Sequence, residues 1–169
     1  MRFLKLFFAF FVLILAACNV SSKSKTTVAA NTEAAKTKTA AKEKASAGIE
    51  FIEQDWNAAL QQAKKQNKLV FLDIYATWCG PCKMLKQYTF SDTSVGRFFN
   101  NNFVNISVDG EKGVGPQLAQ QYSIEGYPSL IITDAEGKPV LFTAGYMPVQ
   151  DLLRFADEAL KKSQLNTKL

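Results

Sequence analysis

Asp73-Ile74-Tyr75-Ala76-Thr77-Trp78-Cys79-Gly80-Pro81-Cys82-Lys83 is the stretch on which the reading of this chain turns. Leu69-Val70-Phe71-Leu72 leads into it. Together with Ile74-Tyr75 it makes a near-continuous apolar run, the mark of a strand buried on both faces. The sequence predicts a helix from the Cys79 region to about Tyr88. Two cysteines three apart at a strand-to-helix junction can bring their sulfurs to disulfide distance in the first helical turn. The first sits where free backbone N–H groups point outward, and that positive end stabilises a thiolate and lowers the pKa of Cys79. Cys82, one turn inward, is expected to be less exposed and suited to attacking a mixed disulfide once it forms. Pro81 removes an N–H that a helix start does not need and stiffens the bridge. Two other readings of the pair stay open on the residues alone. A purely structural disulfide would close so small a loop that it constrains the unfolded chain little. A two-coordinate copper(I) site is conceivable because thiolates are soft ligands, whereas zinc would want four ligands, or three plus water.

The elements around this stretch alternate. Trp56, Ala59, Leu60 and Ala63 share one face of a helix that Asp55 can cap and that closes near Asn67. After Cys82, Ser91 or Asp92 can cap a short helix through Phe99, and Phe103 to Val108 alternates like a second strand. Pro116 to Tyr122 reads as a helix with proline in its first turn. Ser129–Thr133 and Val140–Phe142 flank Asp134-Ala135-Glu136-Gly137-Lys138, a hairpin with a longer loop. Leu152, Leu153, Phe155, Ala156, Ala159 and Leu160 form the apolar stripe of a closing helix. Strand–helix–strand units followed by a hairpin and a helix imply an α/β fold, a mixed central sheet with helices on both faces. No internal repeat is visible.

Composition narrows the chemistry. With 169 residues the chain has room for one domain and its attachments, and 47% hydrophobic residues with thirteen Phe imply a buried core. The formal charge of +5 is unevenly placed. Residues 18–47 carry six Lys and two Glu, whereas residues 48–169 carry twelve Lys plus Arg against thirteen Asp plus Glu. The folded part is therefore near neutral, and no nucleic-acid partner is expected, because such a partner needs a basic face. The chain has no His. That removes the commonest general base, the commonest metal ligand and any Cys–His pair.

Three segments follow from the N-terminal residues. Arg2 and Lys5 precede an unbroken apolar run of ten residues, Leu6–Leu15, too short for the ~20 residues a bilayer crossing takes. Residues 1–17 thus read as a signal peptide. An ordinary cleaved signal with an incidental cysteine is one interpretation. However, Leu15-Ala16-Ala17-Cys18 resembles the lipobox of bacterial lipoproteins, which implies lipidation of Cys18 and removes it from redox chemistry. Residues 19–47 are mostly Ser, Thr, Ala and Lys, too polar to offset chain entropy, and read as a spacer with a reach on the order of 30 Å. The expected organisation is a signal peptide over 1–17, a lipidated N-terminus and spacer over 18–47, and a folded domain over 48–169.

The Asp73–Lys83 stretch, taken with Gly126-Tyr127-Pro128-Ser129-Leu130, resembles the active-site segments of the thioredoxin family. The likeness runs over roughly Glu50 to Lys161, and it implies a thioredoxin-like fold. Lys86-Gln87-Tyr88-Thr89-Phe90-Ser91-Asp92 is further similar to the periplasmic C-terminal domain of the disulfide reductase DsbD. The resemblance implies Cys79 as nucleophile and Cys82 as resolving thiol, with Pro128 cis opposite the pair. Gly145 would border the same groove, and Trp78, Gly80, Pro81 and Tyr127 would contact substrate. Asp73 would be the family's buried carboxylate, its pKa raised by burial, accepting the Cys82 proton through water; an exposed strand-edge acid is the alternative. Two departures stand out. Asn105 replaces the lysine that accompanies that acid, and Gln87 falls near the family's helix-kinking proline.

Gly80-Pro81 is the insert of reducing thioredoxins, whereas strong oxidants carry a His there. The expected activity is therefore reduction of protein disulfides, with electrons from a membrane donor of the DsbD type. No cofactor beyond the Cys79–Cys82 couple and no metal is expected. The protein would act as a monomer, lipid-anchored and facing the periplasm. A disulfide oxidase or isomerase and a copper(I) carrier are the rival expectations.

Overall fold

The structure, a computed structural model, describes residues 48–166. The expected signal peptide, Cys18 and spacer lie outside the described residues. The elements run β1 (Ile52–Glu53), α1 (Trp56–Gln66), β2 (Leu69–Tyr75), α2 (Gly80–Met84), a π-helical turn (Leu85–Thr89), α3 (Thr93–Asn102), β3 (Phe103–Asp109), α4 (Gly115–Gln121), β4 (Ser129–Thr133), β5 (Pro139–Ala144) and α5 (Val149–Asn166). Their strands form one sheet in the order β1-β3-β2-β4-β5. β3 is parallel to both β1 and β2, while β4 is antiparallel to β2 and to β5. The sheet is mixed, as the element order predicts.

Local chemistry sets the boundaries. Asp55 opens α1 by accepting from the Ala58 N–H at 2.9 Å, and Asn67 closes it in the left-handed region at φ 52°. Of the two candidate caps for α3, Asp92 takes the role, accepting from the Ser94 and Val95 N–H groups. Pro116 falls in the first turn of α4, where its missing N–H costs nothing.

Two hydrophobic layers sandwich the sheet. Val70, Leu72 and Ile74 of β2 and Val104, Ile106 and Val108 of β3 pack with Trp56, Ala59 and Ala63 of α1 and Leu118 of α4. Phe71 and Phe103 point to the other side, with Leu130 and Ile132 of β4, Phe99 of α3 and Leu152, Ala156 and Ala159 of α5. Much of the Phe content is spent there. The Phe71 and Phe99 rings lie 4.6 Å apart, and Phe99 and Phe103 lie 5.2 Å apart, both within the favourable range for aromatic pairs.

Three features differ from the sequence expectation. β1, only two residues long, is too short to show a period in the sequence. β3 is buried along its whole length although it alternates in polarity. Its inward polar residues, Asn105 and Ser107, are buried on the layer that α2 and α3 cover, and they carry hydrogen bonds. Third, the helix after Cys79 is not continuous. It is α-helical only to Met84, then widens into the π-helical turn, with the Phe90 N–H donating to the Leu85 carbonyl at 2.8 Å. The turn contains Gln87, where the family's kinking proline would fall. A widened turn is one of the recognised ways to bend a helix without proline.

The segment at Gly48 packs closely onto α3. A Cβ on Gly96 would stand 2.4 Å from the Gly48 carbonyl carbon and oxygen, so the two backbones touch where no side chain fits. The Ile49 N–H, donating to the Phe90 carbonyl at 2.8 Å, fixes the same segment to the end of the π-helical turn.

Candidate active site

β2 ends at Tyr75, and the chain turns through Ala76–Trp78 into α2 with Cys79 as its N-cap. The Cys82 N–H donates to Cys79 Sγ at 3.1 Å, so a helix-start amide points at the sulfur as the sequence predicts. Cys79 and Cys82 are joined by a disulfide with an S–S length of 2.02 Å and a Cα–Cα distance of 5.3 Å. One expectation is corrected. Cys82 is not the less exposed of the two: Cys79 is 2% exposed and Cys82 8%. Tyr75 and Tyr127 pack against the pair, and Cys82 borders a cavity of about 660 Å³ behind it.

That cavity brings Cys82 together with Asp73 and Ser107 of the sheet, Glu53 of β1 and Lys86 of the π-helical turn. Asp73 is 6% exposed, so it is a buried acid and not a strand-edge one. Burial is the main reason its pKa is pushed up to about 7; the Ser107 hydroxyl, Glu53 and Lys86 then modify that, the first and last lowering it and Glu53 raising it. Ser107 donates to Asp73 Oδ2 at 3.0 Å, while Oδ1 is buried with no hydrogen-bond partner. The carboxyl therefore faces the cavity half-satisfied, at a pKa suited to exchanging a proton near neutral pH.

Register explains which residue meets the acid. In the parallel β2–β3 ladder Asp73 stands opposite Ser107, and Asn105 stands opposite Phe71. The Asn105 amide donates instead to Asn100 Oδ1 at 3.1 Å and to the Glu50 carbonyl at 3.3 Å. Asn105 thus ties β3 to α3 and to the segment before β1. It does not replace the family's lysine beside the acid.

On the open side, Trp78 is 67% exposed and its indole N–H donates to both Glu111 carboxylate oxygens, at 3.0 and 3.1 Å. Its ring meets Tyr127 edge-on at 6.0 Å. The Tyr127–Pro128 bond is cis, and the Gly145 N–H donates to the Pro128 carbonyl at 2.8 Å. Gly145 has φ 93°, a conformation that L side chains rarely adopt. Gly80 and Pro81 are exposed at the start of α2. The residues singled out from the sequence thus gather around one disulfide, Asp73 behind it and Trp78, Tyr127, Pro128 and Gly145 on linked segments around it.

Ser107, Glu53, Lys86 and Glu111 join the site in the structure without a motif of their own. Ser107 and Glu53 depend on parallel register, which no local pattern encodes, whereas Lys86 could have been found from its spacing of four residues after Cys82, which puts the two on one helix face. Glu111 is placed by the loop after β3, where the Gly110 N–H donates to the Tyr75 carbonyl at 2.7 Å. Among the described residues there is no group of three or more His, Cys, Asp or Glu that could hold a metal ion.

A helix-capping cysteine bonded to a second cysteine one turn on, at the end of a buried strand and beside a cis-proline, defines a thiol–disulfide oxidoreductase site. The chain belongs to the thioredoxin-like family: the family model for the thioredoxin-like domain matches residues 56–160. An H-type thioredoxin from Fagopyrum esculentum is 36% identical over 87 residues, 52% of this chain and 69% of the relative. The thiol:disulfide interchange protein DsbD of Pseudoalteromonas atlantica is 32% identical over 87 residues, which are 51% of this chain and only 15% of that protein. Among solved structures, a protein from Bacteroides thetaiotaomicron provisionally described as a disulphide-isomerase is 36% identical, with a TM-score of 0.61 over 68% of this chain and 95% of its own. The oxidised C-terminal domain of Neisseria meningitidis DsbD, 24% identical, shares the fold, with a TM-score of 0.52 over 61% of this chain and 91% of that one.

Proposed function

We propose that this protein is a membrane-anchored, extracytoplasmic reductant of protein disulfides, lipidated at Cys18 and re-reduced by a membrane donor of the DsbD type. The observation that carries the chemistry is the Cys79–Cys82 disulfide capping α2 with Cys82 open to the Asp73 cavity. In the reduced protein the Cys79 thiolate attacks one sulfur of a substrate disulfide. The other substrate sulfur leaves as a thiolate, and a mixed disulfide forms. Cys82 then gives its proton toward the Asp73 carboxylate and attacks the Cys79 sulfur. The Cys79–substrate bond breaks, its electron pair leaves with the substrate sulfur that Cys79 had attacked, and the protein ends as the Cys79–Cys82 disulfide. Two electrons have passed from the dithiol to the substrate. Trp78, Tyr127, Pro128 and Gly145, with Gly80 and Pro81, offer the surface on which an extended substrate segment would lie.

The direction of flow is tested by the reduction potential. A reductant is expected near the thioredoxin value of about −270 mV, whereas a potential above about −180 mV would move the reading to an oxidase or isomerase, the activity suggested for the Bacteroides neighbour. Cys82→Ala should trap substrates and donor as mixed disulfides on Cys79 in cells. If no such adducts form while copper(I) binds stoichiometrically, the protein is a carrier. Palmitate labelling should be lost in Cys18→Ala; label that persists would remove the anchor.

A further inference from the structure

Asp73 is the group whose protonation the proposed reaction uses, and charged residues from three elements line the cavity it borders. From β1 comes Glu53, from α2 Lys83 beside Cys82, and from the π-helical turn Lys86. Tyr75 follows on β2, and β3 contributes the uncharged hydroxyl of Ser107. β4 presents only Leu130 in register with Asp73. Glu53 and Lys86 are both exposed, so each can be changed without opening the core. The strand position from which thioredoxins supply a lysine is Asn105, whose side chain is engaged with Asn100 and Glu50.

We propose that Lys86 and Glu53 are an opposed pair of positioning charges that set the pH at which Asp73 gains and loses its proton, Lys86 acting from the π-helical turn where no strand-borne lysine is available. Lys86 follows Cys82 by four residues, the spacing that puts two helical side chains on one face, and both line the same cavity. A positive charge here favours the carboxylate, the form able to accept the Cys82 proton. The negative charge of Glu53 favours the protonated acid. Each acts through Asp73 and touches no substrate. The inference rests on the thiol–disulfide reading for its purpose, but the electrostatics can be measured without any turnover.

The test is a carbon-13 NMR titration of the Asp73 carboxyl in the oxidised full-length chain, set beside the pH profile of insulin-disulfide reduction. Lys86→Met should move the titration midpoint to higher pH by about half a unit or more, and Glu53→Gln should move it to lower pH by a similar amount. Lys86→Arg should restore the wild-type midpoint, and the double variant Lys86→Met, Glu53→Gln should fall near it. In the activity profile, Lys86→Met should lower the rate at pH 7 about two-fold and recover it at pH 9. A midpoint unmoved by Lys86→Met, or shifts of the same sign in the two single variants, overturns the proposal. So does a loss of rate at every pH that Lys86→Arg does not restore, which would mark a structural role. If the midpoints move as expected but insulin is not reduced, the charge assignment stands and the reductase reading falls. Insulin reduction with unmoved midpoints has the opposite meaning.

Discussion

Asp73 is a single carboxyl on which desolvation outweighs every charge nearby, and that order fixes how stability responds to pH. In the unfolded chain the acid releases its proton near 3.8, and in the fold it keeps it up to about 7. Between those values the native state binds more protons than the unfolded state, so stability falls as pH rises and the loss is complete above the folded value. Asp73→Asn removes that dependence and keeps an acceptor for the Ser107 hydroxyl. The variant should be more stable than wild type at pH 8 by up to about 4 kcal/mol and nearly equal to it at pH 3.5, as read by urea unfolding at the two pH values. It should at the same time resolve mixed disulfides more slowly at neutral pH. A residue kept at a cost in stability and a benefit in rate is what a working acid looks like, and equal stability at pH 8 would show that it is not desolvated.

Among the elements, α3 poses a contest between helix propensity and packing. Replacing glycine by alanine inside a helix ordinarily gains about 1 kcal/mol. At Gly96, however, the new Cβ would press on the Gly48 backbone at 2.4 Å, and overpacking of that kind costs about 1–3 kcal/mol. Gly96→Ala should therefore be destabilising in chemical denaturation, by about 1 kcal/mol or more; a stabilised variant would mean that the Gly48 segment is free to move away. The elements also show what a sequence reveals. β2 is legible because a strand covered on both faces writes an unbroken apolar run, and α1 because Asp55 and Asn67 mark its ends. The cysteine pair and Asp73 are legible because their spacing along one strand and one helix turn is local. β1 is not, because its two residues are held by pairing with Ile106 and Ser107, more than fifty positions away. The π-helical turn has no residue signature beyond the missing proline. Ser107 as partner of the acid, and the correction to the relative exposure of Cys79 and Cys82, both come from register and packing that only the assembled sheet defines.

For the molecule as a whole, the redox bond contributes little to what holds it together. Two apolar layers on a five-stranded sheet carry the fold, while the bridge joins residues with a sequence separation of only 3. Closing so short a loop is worth about 2 kcal/mol on the chain-entropy account, far less than burying the two layers. Reduction should therefore lower the unfolding free energy by about 2 kcal/mol and leave the far-ultraviolet circular dichroism unchanged. A cooperative loss of structure on reduction would instead make the bridge a structural staple. The same separation of scaffold from switch has an optical consequence. The chain contains two tryptophans. Trp56 is buried in the α1 layer, far along the chain from any change of bonding, whereas Trp78 is the immediate neighbour of Cys79 and stands largely in solvent, held by Glu111 and Tyr127. A disulfide is an efficient quencher of indole emission at contact range, and a dithiol is a weaker one. The protein thus carries its own redox reporter: its fluorescence should rise as the bridge opens, with Trp78→Phe leaving only the constant signal of the buried indole.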